Sequence, residues 1–137
     1  MLFKKNKKED EDKNFVKIAS LLIHAAKIDE NFSKTEEKII TEALLKLGAK
    51  NESLESIIKA GKLMEENANQ ILDFTREVKN MDENKKIQII ETLWQIIYSN
   101  KEADIYETNL MRRLAGLLYV DNKTMGDIKE KIKKENS

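Results

Sequence analysis

Two polar stretches of the sequence place oxygen-bearing side chains at alternate positions between apolar runs. The first stretch has Asp29, Asn31 and Ser33, followed by Glu36, and the second has Asn100, Glu102 and Asp104, followed by Glu107. Carboxylate and amide oxygens are the ligands that hard divalent cations prefer. The candidate ligands for a calcium, magnesium or manganese ion are therefore Asp29, Asn31, Glu36, Asn100 and Glu107.

Neither stretch fits an EF-hand calcium loop. The sixth position of such a loop needs glycine for a sharp turn, and the twelfth needs a glutamate that binds through both oxygens. The sixth position here is Lys34 or Ile105, and the twelfth is Ile40 or Met111. A less regular site with oxygen ligands stays open for both stretches.

Helix capping is the competing explanation for part of each stretch. Ser33 and Glu36 have the spacing of a capping box, in which the serine caps the helix and the glutamate bonds back to the serine N–H. Asp104 and Glu107 have the same spacing, with an aspartate cap. Capping leaves Asp29 without a comparable local role, so the loop acids stay open as ligands.

The composition predicts a single all-α domain. There is no proline, there are only four glycines, and 40% of the residues are hydrophobic against 36% charged. Apolar residues recur at helical spacing and no segment alternates with period two. We predict a compact bundle of about seven helices, over residues 12–28, 34–47, 52–65, 70–79, 83–98 and 105–118, with a short last helix after Asp121. In the first helix, Ser20 and His24 are expected on the solvent side, and in the third, Gly61 is expected to permit a close helix contact.

Charge and cysteine content narrow the classes of partner and compartment. The 25 basic and 25 acidic residues cancel, so no overall field attracts nucleic acid. No apolar run is long enough to span a membrane, and residues 1–11 read as a disordered mixed-charge tail that could touch a membrane transiently, followed by one domain over 12–137. The absence of cysteine suits a reducing compartment, and we expect a cytoplasmic protein. With His24 as the only histidine, an enzyme is not expected.

An internal repeat relates the two polar stretches. At an offset of 100 − 29 = 71 residues, the apolar positions of two helical hairpins match in phase. Leu22 matches Leu93, Ala26 matches Ile97, and beyond the loop Glu36 matches Glu107. This pattern predicts a duplicated helix-loop-helix whose two copies pack into one globule.

The repeated motif resembles the TerB-like family, which is named for bacterial tellurite resistance. The first copy reads A-A-K-I-D-E-N-F-S-K-T-E from Ala25 to Glu36, and the second reads I-I-Y-S-N-K-E-A-D-I-Y-E from Ile96 to Glu107. Leu93–Trp94 and Arg112–Arg113 also look like the branch of short, standalone bacterial members. The resemblance spans nearly all of the chain after the tail.

The resemblance implies a compact helical domain in a stress response, with a divalent-metal role proposed for the loop acids. Glu30 and Lys101 replace the loop glycine of the family, and Asn100 replaces its second aspartate. The function expected on this basis is a non-enzymatic module that binds a protein partner. The alternative is a metal-binding or metal-sensing protein. Arg112 and Arg113 could bind a phosphate or a partner carboxylate, or could form ion pairs with Glu102 and Asp104.

Overall fold

The computed structural model describes residues 2–29, 33–68, 71–99 and 105–136, without the side chains of residues 2–12 and 29. The described residues form seven α-helices and no strand, which confirms the predicted fold class. The helices are α1 (Leu2–Ala26), α2 (Lys34–Lys46), α3 (Leu54–Asn67), α4 (Leu72–Lys79), α5 (Glu83–Tyr98), α6 (Ile105–Leu117) and α7 (Asn122–Glu135). Short 3-10 turns lie at Lys27–Asp29 and Asn51–Ser53. None of these helices combines the length and the apolar character that a membrane crossing requires.

The first helix begins earlier than its apolar pattern indicates. Its backbone is helical from Leu2, ten residues before the predicted start at Asp12. The charged residues of this first part give no apolar periodicity, although most of them are good helix formers. The side chains there lie outside the described part of the chain, and the division into a tail over residues 1–11 and one domain over 12–137 stays a prediction.

Helix α1 is the central element of the bundle and packs against α2, α3, α4 and α5. Because neighbours surround it, Leu21 and Ile23 are buried together with the predicted apolar face. The prediction that Ser20 faces solvent is wrong. Ser20 is fully buried, and its Oγ lies 2.8 Å from the carbonyl oxygen of Val16 and 3.1 Å from that of Gly61.

Gly61 lies where α3 crosses α1. A Cβ atom at this position would lie 3.0 Å from the Cβ of Ala19 and 3.4 Å from the backbone nitrogen of Ser20. Carbon atoms pack at about 3.5–4.0 Å, so a side chain would force the helices apart. The predicted role of Gly61 in a close helix contact is confirmed.

The starts of three helices are fixed by the side chains that the sequence indicated. Ser33 Oγ accepts from the N–H of Glu36 at 3.1 Å, and Glu36 Oε1 accepts from the N–H of Ser33 at 2.8 Å, which completes the capping box. Asp82 caps α5 and Asp121 caps α7 through the backbone N–H three residues on, at 2.9 and 2.7 Å. The predicted cap of α6, Asp104, lies outside the described residues.

The two hairpins of the repeat also end alike. After α2, the N–H of Ala49 bonds to the carbonyl of Leu44 at 2.9 Å, and after α6, the N–H of Val120 bonds to that of Ala115 at 3.0 Å. These bonds close a Schellman-type cap, in which the residue directly before the N–H donor has a left-handed backbone. That residue is Gly48 in the first hairpin and Tyr119 in the second, again 119 − 48 = 71 positions apart. Helix α5 packs against both α1 and α2, so the copies share one core, as predicted.

Candidate functional site

The first polar stretch is partly accounted for by its capping box. Glu36 is only 2% exposed, and one of its oxygens accepts the N–H of Ser33. The backbone of Asp29 ends the 3-10 turn, but its side chain lies outside the described residues, as does all of Asn31. The prediction that these three residues bind a cation stays a prediction.

The second stretch contributes one described candidate ligand. Glu107 lies in the first turn of α6 and is 3% exposed. Burial raises the pKa of the neighbouring Tyr98 hydroxyl, and the negative charges of Glu130 and Glu107 raise it further. Asn100 lies outside the described residues. Glu36 and Glu107 are therefore buried carboxylates at equivalent positions of the two hairpins.

The described residues flanking the two stretches lie close together. Ile28, just before the first stretch, lines one surface cleft with Tyr106, which precedes Glu107 in the second. Within the described ranges, no three Asp, Glu or His side chains are grouped closely enough to hold a metal ion. One residue beside each loop therefore lines the same cleft. The candidate ligands Asn31 and Asn100 and the side chain of Asp29 lie outside the described residues.

The only histidine takes part in a surface ion-pair cluster. His24 Nδ1 lies 3.8 Å from Glu65 Oε2, and Lys27 Nζ lies 2.8 Å from Glu65 Oε1. The bond from Lys27 to Glu65 raises the pKa of that lysine. The ring of His24 also lies 6.1 Å from the ring of Phe74. His24 is thus held at the edge of the core, partly exposed and in contact with a structural carboxylate.

The outer side of α6 exposes large apolar side chains that the sequence reading did not single out. Ile105 is 69% exposed and Tyr106 is 72% exposed. Tyr106 lines a wide cleft of about 600 Å³ together with Ile28, Asn109, Leu110 and Arg113. Side chains this exposed add little to the core, and exposed apolar side chains that are grouped together often mark an interaction site.

A second cleft lies between the outer side of α6 and helix α4. Its volume is about 240 Å³, and its lining includes Leu72, Arg76, Lys79, Leu117 and Tyr119. The Nζ atom of Lys79 lies 5.1 Å from the centre of the Tyr119 ring, which is the geometry of a cation–π contact. None of the described residues that line this cleft is acidic.

The two clefts follow one another along α6. Tyr106, Asn109, Arg113 and Gly116 are spaced three or four residues apart, so they form one stripe on the helix. We call this surface the α6 face, made of Tyr106, Asn109, Arg113, Gly116, Leu117 and Tyr119 with Leu72, Arg76 and Lys79 of α4. The sequence gives no separate signal for it, because Tyr106 precedes Leu110 by four residues and so falls at the helical spacing of the buried residues Leu110 and Leu114.

Comparison with protein-family models gives a match to the family described as "Tellurite resistance protein TerB", over residues 15–130. The matched segment contains helices α2 to α6 entirely, with most of the described side chains of α1 and the first part of α7. Comparison with curated proteins and with solved structures gives no match.

Proposed function

The chain belongs to the tellurite resistance protein TerB family, and from this premise we propose that it is a non-enzymatic helical module that binds a protein partner through the α6 face. The observation that supports this best is the exposure of Tyr106 and Tyr119, both of which belong to the α6 face. These side chains are not part of the described core, which supports a role for them in contact with another molecule.

The types of side chain on the α6 face fit a protein interface. Tyrosine and arginine are enriched where proteins meet, because each combines a large contact area with hydrogen-bonding groups. The face contains Tyr106, Tyr119, Arg76 and Arg113, which are two of the three tyrosines and two of the three arginines in the chain. The lysines, in contrast, are spread over many helix surfaces.

A non-enzymatic role rests on the shortage of catalytic groups in the sequence. The chain has no cysteine and one histidine, and His24 is already paired with Glu65. A nucleophile activated by a histidine base would have to lie within hydrogen-bonding reach of His24. The proposal of an interaction module therefore requires fewer assumptions than a catalytic one.

Site-directed photo-crosslinking in the native cell tests the interaction. A photoreactive phenylalanine analogue replaces Tyr106, and in a matched control it replaces Leu63, which is 53% exposed on α3. We expect a protein adduct from position 106, weakened by Arg113→Glu, and none from position 63. Equal adducts at both positions, or none at position 106, would overturn the proposal.

A bacterial stress response is the proposed setting, and its support is the family alone. The cytoplasmic location expected from the sequence belongs to the same proposal. Growth of a strain lacking this chain, with tellurite and with other envelope or oxidative stresses, tests it. We expect restored growth with the wild-type chain and not with Arg113→Glu. Growth that is unaffected by loss of the chain under every stress would contradict it.

Divalent-metal binding is the second candidate function. Glu36 and Glu107 support it, because both are buried carboxylates that follow the two polar loops at equivalent positions. Only one oxygen of Glu36 is engaged by Ser33, so the other could join Asp29 and Asn31 around an ion. Calorimetry with calcium, magnesium and manganese tests the site, with Glu36→Gln as the variant that keeps the cap. Absence of heat and of thermal stabilisation at millimolar ion would exclude it.

A further inference from the structure

We infer that the α6 face binds an acidic peptide segment with an apolar residue between its carboxylates, and that Tyr119 is the specificity-determining residue. This inference rests on the proposed interaction function and names the partner chemistry of the same surface. The second cleft, between α4 and α6, is where the apolar residue would lie.

The charge of the cleft selects for an acidic partner. Arg76 and Lys79 line it, and no acidic residue is among its described lining, although the whole chain has zero net charge. Arg76 is exposed, so its guanidinium can bind a carboxylate through two parallel hydrogen bonds. A positive patch on a neutral protein attracts negative partners and rejects positive ones.

The helix dipole explains only part of this arrangement. Cations in the last turn of a helix are favoured by the negative end of its dipole, and Arg76 and Lys79 lie in the last turn of α4. The dipole gives no reason for an aromatic ring beside them. Tyr119 belongs to a different segment, and its presence needs a separate cause.

Tyr119 adopts a backbone conformation that is costly for its residue type. Its φ angle is +56°, in the left-handed region, where the equivalent position of the first hairpin has Gly48. A glycine would satisfy the same cap without strain. The cap explains the backbone conformation of Tyr119 but not its side chain, which is 71% exposed, and strain of this kind is concentrated at functional sites.

The floor of the cleft is apolar, which specifies more than charge. Leu72 is partly exposed on α4, and Leu117 lies at the end of α6. A peptide with only carboxylate side chains would leave Leu72 and Leu117 exposed to water, whereas a leucine or a similar side chain would bury their apolar surface. The ring of Tyr119 also lines the cleft, and the Nζ atom of Lys79 lies over that ring.

Arg113 extends the basic surface along α6. It is exposed and lines the first cleft. It precedes Gly116 and Leu117, which line the second cleft, by about one helical turn. From Tyr106 to Leu117 the helix rises about 17 Å at roughly 1.5 Å per residue. About five residues of extended peptide cover that distance. The α6 face therefore fits a short linear segment.

Titration of the full-length, isotope-labelled chain with acetyl-EELEELEE-amide, followed by amide NMR, tests the inference. We expect shifts at Leu72, Arg76, Lys79, Gly116 and Tyr119, and none with acetyl-KKLKKLKK-amide. Affinity should fall as salt rises, because the contacts are charged and near the surface.

Variants with matched controls separate the contributions. The double variant Arg76→Glu, Lys79→Glu should weaken peptide binding at least about tenfold. The control is the double variant Lys50→Glu, Lys59→Glu, which makes the same change of net charge at distant exposed sites. It should leave the affinity within about twofold. Tyr119→Gly should weaken binding at least about threefold with the fold intact, and Tyr119→Phe, which keeps the ring, should not.

Several results would overturn the inference. These are equal binding of both peptides, no dependence on Tyr119, or binding only of inorganic phosphate or phosphatidylserine vesicles. If the crosslink from position 106 persists while the acidic peptide fails to bind, the partner chemistry is wrong and the interaction function survives. If both are lost, the interaction function itself is wrong.

Discussion

Tyr119 occupies in the second hairpin the helix-terminating position that Gly48 occupies in the first. Both residues have positive φ angles, +56° and +110°, and the hydrogen bonds that close the two caps differ by only 0.1 Å, at 3.0 and 2.9 Å. Both copies thus have the same helix-terminating cap, but the left-handed residue is glycine in the first and tyrosine in the second. A left-handed conformation costs an L-residue roughly 1–2 kcal/mol, which the second hairpin bears and the first avoids.

Exchanging residues at these two positions should have opposite effects on stability. Tyr119→Gly relieves the strain, so we expect the free energy of unfolding to stay equal or rise by about 1 kcal/mol. Gly48→Ala imposes the strain, and although space is open around it, we expect a loss of about 1–2 kcal/mol. Urea unfolding measures both. A loss of stability in Tyr119→Gly would show that the ring supports the fold.

Two glycines inside helices should respond in opposite directions to alanine. At Gly61 the new Cβ would lie 3.0 Å from that of Ala19, so Gly61→Ala should lower the free energy of unfolding by about 1–2 kcal/mol. At Gly126, on α7, nothing lies within 4 Å, and Gly126→Ala should raise it by about 0.5–1 kcal/mol. Thermal or urea unfolding measures both.

The crossing at Gly61 also predicts a specific coupling. If the loss in Gly61→Ala comes from contact with Ala19, adding Ala19→Gly should cost less in that background than in the wild-type chain. Strict additivity of the two changes would place the cause elsewhere, in the backbone of Ser20.

The capping box predicts different effects for two replacements of one carboxylate. Glu36→Ala removes the acceptor for the N–H of Ser33 and should cost about 1 kcal/mol. Glu36→Gln keeps an oxygen acceptor, so its loss should be smaller, within about 0.5 kcal/mol. Glu42→Ala, on the exposed side of the same helix, is the control. Equal losses for the alanine and glutamine variants would show that the charge is what matters.

Tyr98 should make stability depend on alkaline pH. Burial and two nearby carboxylates raise its pKa above the ordinary 10.0, so the unfolded chain loses this proton first as pH rises. The folded state then holds more protons than the unfolded state, and stability falls from about pH 10 up to the raised pKa. Urea unfolding across this range should show a shallower fall in Tyr98→Phe than in the wild-type chain. Identical slopes would contradict the prediction.

The sequence predicted the helices better than their environments. Caps at Ser33, Asp82 and Asp121 placed three helix starts, because the capping side chain and the backbone N–H that donates to it are close in the sequence. The orientation of Ser20 was wrong because α1 is covered on nearly every side, and periodicity can indicate one buried face but not how many neighbours a helix has. The early start of α1 was missed because charged helix formers leave no periodic trace.

The candidate functional residues also fall into those that the sequence indicated and those that only the structure brought together. The loop acids were found because ligand types and their repeat at 71 residues are written in the sequence. The α6 face was not, since it joins Arg76 and Lys79 of α4 to Arg113 and Tyr119, which are up to 43 positions away. Only Arg113 was noted beforehand, as one of a charged pair without a known neighbour.

The sequence by itself determined the local and repeating properties of this protein: helix, cap, duplication and family. These depend on interactions within a few residues or on the comparison of one segment with another. The tertiary structure decided which surfaces remain uncovered and which charges meet. That outcome depends on how the seven helices pack, because exposure is set by contacts between distant segments. The strained tyrosine at the edge of a basic cleft becomes visible only when both are seen together.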